Sequence, residues 1–143
     1  MDSSAYGFSK FMAELVVAKY CKNYTNLRCC AIIGPGMKKG LIHDIKHGGP
    51  IYIRHDSRLQ FITAEEVANV IDYIISDTNQ IRWIGMKYVV GEGNVSPEEI
   101  EKAYGLNFLY PTDAQRQHYN HSHNIFGFKM KKSFEYVKGA LDG

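Results

Sequence analysis

Long hydrophobic stretches are missing from this sequence. No apolar run approaches the roughly 20 residues that a helix needs to cross a bilayer. The first 14 residues include Ser, Tyr, Lys and Glu, which interrupt the apolar core that a signal peptide requires. We therefore expect a cytoplasmic protein without a membrane partner.

Cysteine is also scarce, with three residues in 143. No two of them have Cys-x-x-Cys spacing, which excludes zinc-ribbon and thioredoxin-like motifs. Cys29 and Cys30 are adjacent in a strand-like run, so their side chains point to opposite faces and make a poor disulfide pair. We expect Cys21, Cys29 and Cys30 to be reduced thiols that fill apolar space.

A large excess of one charge is missing as well. The 17 basic and 15 acidic residues leave a formal net charge of +2, and the longest basic runs are the pairs at 38–39 and 131–132. Such a balance gives no basic surface for a phosphate backbone. A nucleic-acid partner is therefore not expected.

Metal-ligand patterns are few. His118, His121 and His123 have the spacing His-x-x-His-x-His, but no acidic or cysteine residue lies close to them in the sequence. A protein metal site usually combines several ligands of this kind. The pattern favours a polar surface loop over a metal centre, and we predict no metal site.

What the sequence does contain is an alternation of helical and strand-like segments. Helical spacing of apolar residues predicts helices at 5–20, at 41–46, from Thr63 onward, from Ser96 onward and at 131–141. Short apolar runs predict strands at 27–33, 51–54, 59–62 and 87–90. The fold class is therefore α/β. The strands are few for a self-sufficient parallel sheet, which indicates part of a larger fold.

Several predicted helices begin with capping residues. The segment 2–4 (Asp-Ser-Ser) offers candidate N-caps for the first helix. Thr63 and Glu66 have the spacing of a capping box. Ser96 is followed by Pro97 and two glutamates, which is typical of a helix N-terminus.

The first predicted helix carries a Tyr-x-x-x-Lys pattern. Tyr6 and Lys10 are about one turn apart and so lie on one face. A neighbouring ammonium stabilises a phenolate, which suits a tyrosine to proton transfer near neutral pH. A pattern this short is expected about once by chance in a chain with ten tyrosines, so these two residues alone are equally compatible with a surface helix pair.

Further segments follow this pattern in a particular order. Residues 4–14 read SAYGFSKFMAE, and Leu27-Arg28 begins a strand that leads to Gly34-Pro35-Gly36. Residues 58–68 read RLQFITAEEVA, residues 87–93 are a strand ending in Gly-Glu-Gly, and the triplet 126–128 is Phe-Gly-Phe. Together these segments resemble the C-terminal half of the extended short-chain dehydrogenase/reductase family, the NAD-dependent epimerases and dehydratases that act on nucleotide-sugars.

The resemblance implies a fold and a domain division. The fold would be the C-terminal portion of a Rossmann-type α/β enzyme that lacks the N-terminal dinucleotide-binding half. Residues 1–143 would form a single partial domain. Within it, 1–36 would hold the catalytic helix and the following sheet strand, and 37–143 would form a substrate-domain-like segment with the last sheet strand and the C-terminal helix.

The resemblance also implies roles for particular residues. Tyr6 would exchange a proton with a sugar hydroxyl while a hydride passes to or from the nicotinamide. Lys10 would bind the nicotinamide ribose and assist the tyrosine. Ile33, Gly34 and Pro35 would lie near the nicotinamide.

On the substrate side, the resemblance makes Arg58 a candidate contact for the diphosphate of a nucleotide-sugar, since a guanidinium matches phosphate geometry. A surface salt-bridge residue in a turn is the alternative for Arg58. A second phosphate-binding arginine, which relatives carry near the segment corresponding to 110–113, is not found there.

Two parts of the family's machinery are missing from the sequence. The G-x-x-G-x-x-G loop that holds the cofactor's pyrophosphate is absent, because the glycines at 34–36 and 91–93 have neither its spacing nor its context. The catalytic Ser or Thr that precedes the tyrosine in relatives is absent too. Full-length members bind NAD or NADP, whereas this chain alone is expected to bind neither.

We therefore expect a fragment or truncated relative of an NAD(P)-dependent nucleotide-sugar epimerase, dehydratase or reductase that is inactive alone. Two alternatives stay open: a half-enzyme completed in trans by a separate cofactor-binding chain, and a non-catalytic binding or assembly module on the same scaffold. A homodimer, or a complex with a complementary N-terminal half, is expected, because strand 27–33 would have an unpaired edge and helix 5–20 an uncovered face.

Overall fold

The computed structural model describes residues 4–143, so the candidate caps at residues 2 and 3 lie outside the described part. The elements, in chain order, are α1 (Ala5–Tyr20), β1 (Thr25–Cys29), β2 (Ala31–Ile33), α2 (Leu41–His47), β3 (Phe61–Thr63), α3 (Ala64–Ile75), a 3₁₀ helix (Gln80–Trp83), β4 (Gly85–Val89), α4 (Pro97–Tyr104) and α5 (Ser133–Asp142). This alternation confirms the α/β class. Within residues 4–143, no helix is both long and apolar enough to span a membrane.

The strands form two separate parallel pairs. β1 pairs with β4, and β2 pairs with β3. The single strand predicted at 27–33 is wrong, because the chain changes partner in its middle: the N–H of Cys30 donates to the carbonyl of Val89, and that of Ala31 donates to the carbonyl of Gln60. Adjacent residues of an extended chain direct their N–H groups to opposite sides, so β2 meets β3 on the side away from β4.

The segment 51–54, predicted as a strand, belongs to no strand ladder. The side chain of Ile51 is buried, which accounts for the apolar character of the segment. Its backbone contacts irregular chain instead: the N–H of Ile51 donates to Leu109 O at 2.8 Å, and that of Arg54 donates to Gln115 O at 3.0 Å. Isolated hydrogen bonds of this kind satisfy the backbone without building a sheet.

Side-chain caps begin two of the central helices. Ser96 and Glu99 form the reciprocal capping box of α4. Thr63 caps α3 by accepting a hydrogen bond from the N–H of Glu66 at 3.2 Å. The carboxylate of Glu66, however, accepts from the hydroxyl of Tyr136 at 2.9 Å. Only one of the two hydrogen bonds of the predicted capping box at Thr63 is therefore formed. The Glu66 carboxylate, which would make the other, connects α3 to α5 instead.

The hydrophobic core lies between the β-strands, α3 and α5. Its fully buried residues include Ile62, Val70, Trp83, Val89 and Val137. Cys29 and Cys30 are half-buried free thiols at its margin, and burial raises the pKa of the Cys30 thiol to about 11. A thiol with so high a pKa stays protonated at neutral pH, which agrees with the predicted role of apolar filler for Cys30. Cys21 is exposed, so the same prediction is wrong for that residue.

Gly91 lies where three parts of the chain come into close contact. A Cβ atom at this position would be 2.8 Å from Ser133 Oγ and closer still to the carbonyl oxygen of Phe61. The carbonyl of Gly91 accepts a hydrogen bond from the buried side chain of Gln60 at 3.0 Å. The missing side chain therefore lets β3, the end of β4 and the start of α5 pack backbone against backbone.

One edge of β1 has no neighbour among the strands of residues 4–143. The carbonyl of Tyr24 and the N–H of Cys30 bond to the β4 side. Because alternate residues of a parallel strand direct their backbone groups to opposite sides, those of Thr25, Leu27 and Cys29 point away from β4. We call this the free edge of β1.

Candidate functional site

The predicted catalytic pair lies on the first two turns of α1. The Nζ atom of Lys10 is 5.4 Å from the centroid of the Tyr6 ring. The Tyr6 side chain is free to meet a ligand, since the residue is 71% exposed. Ser4 caps the helix by accepting from the N–H of Gly7 at 3.0 Å, and Ser9 Oγ donates to the carbonyl of Tyr6 at 2.8 Å. These contacts hold the first turn, so they also fix where the tyrosine projects.

The contact between Glu14 and Arg28 determines how α1 lies against the sheet. Glu14 is in the middle of α1 and Arg28 near the end of β1, while the chain turns from α1 into β1 after Tyr20. The helix therefore runs antiparallel to the strand. Tyr6 precedes Glu14 by eight residues, about 12 Å of helix, in the direction of the carboxyl end of β1.

Ile33 is the last residue of β2, and Gly34 and Pro35 follow directly from its carboxyl end. Ile33 is buried and paired with Thr63, the N-cap of α3. A Cβ atom at Gly34 would be 3.1 Å from Ala64 Cβ, so the backbone of Gly34 lies close to the first turn of α3. Loops at the carboxyl ends of parallel strands are the usual ligand-binding positions of open α/β sheets. The Tyr6 pair and this segment thus lie toward the same edge of the sheet.

Arg58 lies on a different part of the surface and has a carboxylate partner. Its Nη1 donates to Glu99 Oε1 at 2.8 Å, at the first turn of α4. Its backbone bonds to Gln117 and Tyr119 of the loop before α5. In this structure Arg58 therefore forms a salt bridge, which is the alternative that the sequence left open for it.

The same loop supplies an arginine that the sequence analysis missed. Arg116 Nε is 3.5 Å from Asp56 Oδ2, and the two nitrogens of Arg54 that face Asp56 are 3.0 and 3.1 Å from its oxygens. These arginines lower the pKa of the Asp56 carboxyl against the opposing effect of desolvation. Arg116 lies three residues beyond 110–113, the segment in which relatives carry a second phosphate-binding arginine. This short distance along the chain is the feature of the sequence that could have identified it.

The three histidines of the C-terminal loop do not converge. His118 is exposed, and its backbone forms an isolated parallel β-bridge with that of Arg58. His121 stacks on Tyr88, and His123 Nε2 is 3.9 Å from Glu92 Oε1. In the part of the chain that the structure describes, no group of three His, Cys, Asp or Glu residues is arranged to hold a metal ion.

A polar network that the sequence did not predict joins α1 to the sheet. Arg28 donates two hydrogen bonds to the carboxylate of Glu14, at 2.7 and 2.5 Å, and one to the hydroxyl of Tyr88 at 3.3 Å. The hydrogen bond from Arg28 holds the pKa of Glu14 below its usual value. Residues 14, 28, 88 and 121 come from α1, β1, β4 and the C-terminal loop, so only the fold could bring them together.

Apolar surface flanks the free edge of β1 on both faces of the sheet. On one face α1 has no buried residue among those described, and its exposed apolar side chains include Phe8, Met12, Leu15 and Val16. On the other face an apolar groove of about 380 Å³ lies between β1 and α3. Its lining includes Leu27, Ile71, Ile74, Ile75 and Ile84. Exposed apolar surface of this extent is uncommon on monomeric proteins.

Comparison with protein-family models identifies a match over the first part of the chain. The model of the NAD dependent epimerase/dehydratase family covers residues 1–91, which include Tyr6, Lys10 and the segment 33–35. No curated protein matches the chain at a significant level.

Solved structures with the same fold come from several organisms. UDP-N-acetylglucosamine 4-epimerase from Methanobrevibacter ruminantium M1, in complex with UDP-N-acetylmuramic acid, is 18% identical with a TM-score of 0.75, over 99% of this chain and 54% of that one. UDP-N-acetylglucosamine 4-epimerase from Bacillus cereus is 16% identical with a TM-score of 0.65, over 98% and 54%. L-threonine 3-dehydrogenase from Trypanosoma brucei is 16% identical with a TM-score of 0.69, over 98% and 53%. The chain thus spans about half the length of these structures.

Proposed function

This chain belongs to the NAD dependent epimerase/dehydratase family, and from that premise we propose that it carries the catalytic helix and the substrate-facing part of an enzyme that oxidises and reduces a hydroxyl-bearing carbon of a nucleotide-sugar. The observation that carries the proposal is the exposed Tyr6–Lys10 pair on α1, directed toward the edge of the sheet at which Ile33, Gly34 and Pro35 emerge.

Each residue of this edge has a chemical task in the proposal. The phenolate of Tyr6 would take the proton of the substrate hydroxyl. Lys10 stabilises the phenolate by its positive charge and donates hydrogen bonds to the cofactor ribose. Gly34 has no side chain, so the segment 33–35 can pack against Ala64 at the first turn of α3, which holds it at this edge. A bound NAD or NADP would supply the hydride acceptor.

Arginines of the loops support a phosphate-bearing substrate. Arg58 is paired with Glu99, and Arg54 and Arg116 share Asp56, so three guanidinium groups lie on loops that are joined by backbone hydrogen bonds. A diphosphate could replace the carboxylates as the partner of these groups, because guanidinium binds both in the same planar geometry. Arg58 is the residue we propose for that contact.

The cofactor's pyrophosphate needs a partner outside residues 1–143, since these residues contain no G-x-x-G-x-x-G loop. We infer that residues 1–36 and 37–143 are the catalytic-helix part and the substrate-side part of one domain, and that a cofactor-binding half completes it, either within a longer chain or in trans. The apolar surfaces on both faces beside the free edge of β1 support a completing half that adds a strand and covers the sheet on both sides.

The proposal is tested by completing the domain. Residues 1–143 are joined to, or co-expressed with, the polypeptide encoded immediately upstream, and UDP-sugars or, as a second substrate class, L-threonine are supplied together with NAD or NADP. Products are identified by chromatography and NMR, because an epimerase or dehydratase returns the hydride to its substrate and leaves no net reduced cofactor. Net reduction of NAD and NADP is followed in parallel, since it reports a dehydrogenase. Turnover of a UDP-sugar supports the proposal. A folded complex that binds the cofactor and turns over no UDP-sugar contradicts it.

The isolated chain is expected to bind NAD and NADP more weakly than a dissociation constant of about 1 mM, because the main anion site of this fold is missing. Calorimetric titration of the purified chain with each dinucleotide measures this. A constant in the micromolar range for either cofactor would show that residues 1–143 hold the pyrophosphate by other means.

Without a completing half, the chain is expected to form a homodimer through α1 and the free edge of β1, because both would otherwise stay exposed. Light scattering coupled to gel filtration at micromolar concentration should give about twice the chain mass of 16.3 kDa. Leu15→Lys should shift the population toward monomer, whereas Ile81→Lys, at a residue that is 79% exposed on the 3₁₀ helix, should not. A monomeric wild-type chain would rule out this contact.

A further inference from the structure

Among the described residues, the polar side-chain contacts that join α1 to the sheet are concentrated at one pair of residues. None of the described residues of α1 is buried. Of the hydrogen bonds and ion pairs that the side chains of Ala5–Tyr20 form in the described part of the chain, those that reach the sheet join Glu14 to Arg28. Nε and Nη2 of the guanidinium each meet one carboxylate oxygen, at 2.7 and 2.5 Å. A two-pronged contact of this kind fixes an angle as well as a distance.

Arg28 is held in turn by the sheet and the C-terminal loop. Its guanidinium carbon lies 5.9 Å from the centroid of the Tyr88 ring, and Nη1 donates to the Tyr88 hydroxyl at 3.3 Å. The Tyr88 ring in turn stacks on the ring of His121, with 5.0 Å between the ring centroids and an angle of 9° between the ring planes. Asn124 Oδ1 accepts from the N–H of Tyr88 at 2.7 Å. The guanidinium therefore has a defined position on the face of the sheet before it meets the helix.

Glu14 transmits that position to the catalytic pair. Tyr6, Lys10 and Glu14 are spaced by four residues, so they form one stripe along α1. A contact that fixes Glu14 therefore fixes the rotation of the helix about its axis, and with it the direction in which Tyr6 and Lys10 project.

We propose that Arg28 is a positioning residue, which sets the height and the rotation of α1 on the sheet and so determines where Tyr6 and Lys10 meet the reacting atoms. The importance of this position for catalysis rests on the function proposed above. Whether Arg28 holds α1 in place can be measured without any reaction. The positioning role of Arg28 and the proposed function can therefore fail separately.

The position of α1 can be followed by energy transfer from Trp83, the single tryptophan of the chain. Phe8→Cys in a Cys21→Ser background provides a site on α1 for a dansyl-type acceptor, checked for one label per chain because Cys29 and Cys30 are half-buried. Arg28→Met should lower the transfer efficiency and broaden the distance distribution. Lys102→Met, which removes an exposed ion pair with Glu98 on α4, is the control and should change neither.

Hydrogen exchange distinguishes local release from general unfolding. In Arg28→Met the amides of α1 should exchange about tenfold faster, while those of β4 and α3 keep their wild-type rates. Unchanged energy transfer and unchanged exchange in α1 would overturn the proposal. Equal acceleration throughout the chain would also overturn it, because Arg28 would then support the fold as a whole.

A charge-reversed pair tests the specific contact. Glu14→Arg with Arg28→Glu should recover most of the energy transfer that each single variant loses, and Arg28→Lys should recover part of it, since an ammonium cannot make the two-pronged contact. In the completed enzyme, Arg28→Met should lower kcat about tenfold with little change in KM. Loss of energy transfer with no change in kcat would show that Arg28 holds α1 in place but that this position does not matter for catalysis.

Discussion

Replacing Tyr6 by phenylalanine is expected to lower the turnover of the completed enzyme by about 100-fold or more, the scale that is typical when a general acid–base group is lost. The change removes only a hydroxyl. Because Tyr6 is exposed and contributes no buried contact, the fold should survive unchanged. Steady-state kinetics with the UDP-sugar substrate measures the effect, and circular dichroism checks the fold.

Tyr20→Phe is the matched control for this prediction. Tyr20 is on the same helix, is 73% exposed, and lies beyond Glu14 at the opposite end from Tyr6. Its variant should keep wild-type turnover. Near-normal turnover of the Tyr6 variant would remove this tyrosine from the proton transfer and would leave the Tyr6–Lys10 pair as a surface contact.

Gly91→Ala is expected to destabilise the chain by about 3 kcal/mol, at the upper end of the usual cost of overpacking. The added Cβ would fall 2.8 Å from Ser133 Oγ and nearer still to the Phe61 carbonyl, and both neighbours belong to elements that cannot move freely. The shift would also disturb the hydrogen bond from Gln60 to the Gly91 carbonyl. Urea unfolding followed by the fluorescence of Trp83 gives the change in the free energy of unfolding.

Gly139→Ala makes the same chemical change in an open place. Gly139 is in the interior of α5, and no atom lies within 4 Å of the position its Cβ would take. An alanine there should stabilise the chain by about 0.5–1 kcal/mol through the helix preference of the backbone. If Gly91→Ala proved as harmless as Gly139→Ala, the three segments at Gly91 would not be as closely packed as described.

Local sequence signals predicted the helices well. α1 begins and ends where the apolar spacing predicts, and Ser96 with Pro97 marks the start of α4. What the sequence could not supply is the partner of each strand. The change of partner at Cys30 depends on where β3 and β4 lie, and neither position is encoded within the apolar run itself.

The apolar residues of α1 illustrate a second limit. Helical spacing indicates a buried face, yet Phe8, Met12 and Leu15 are exposed, because the surface that would cover them is not formed by residues 4–143. A periodic pattern predicts that a face will be covered, but it does not predict by which chain.

For the candidate site, the motif pattern identified Tyr6 and Lys10 as a pair, and α1 brings them to one face. Their proposed roles, and that of Arg58, remain predictions. The Glu14–Arg28–Tyr88 network could not be found from spacing, because its members lie on separate elements and a Glu, an Arg and a Tyr carry no pattern in isolation. Arg116 was overlooked for a simpler reason, since it lies just past the segment in which a phosphate-binding arginine was sought.

The two parallel strand pairs have a consequence for the order in which the chain can fold. β1 pairs with β4 about 60 residues later, and β2 pairs with β3 about 30 residues later, so no strand finds its partner locally. The entropy of closing these loops is lost before the pairings stabilise the chain, which makes such topologies slow to fold. During that interval the free edge of β1 and the apolar side of α1 are exposed together, and both are prone to aggregation. If the completing half proposed above is present while this chain is being synthesised, it would shorten the time for which both surfaces are exposed.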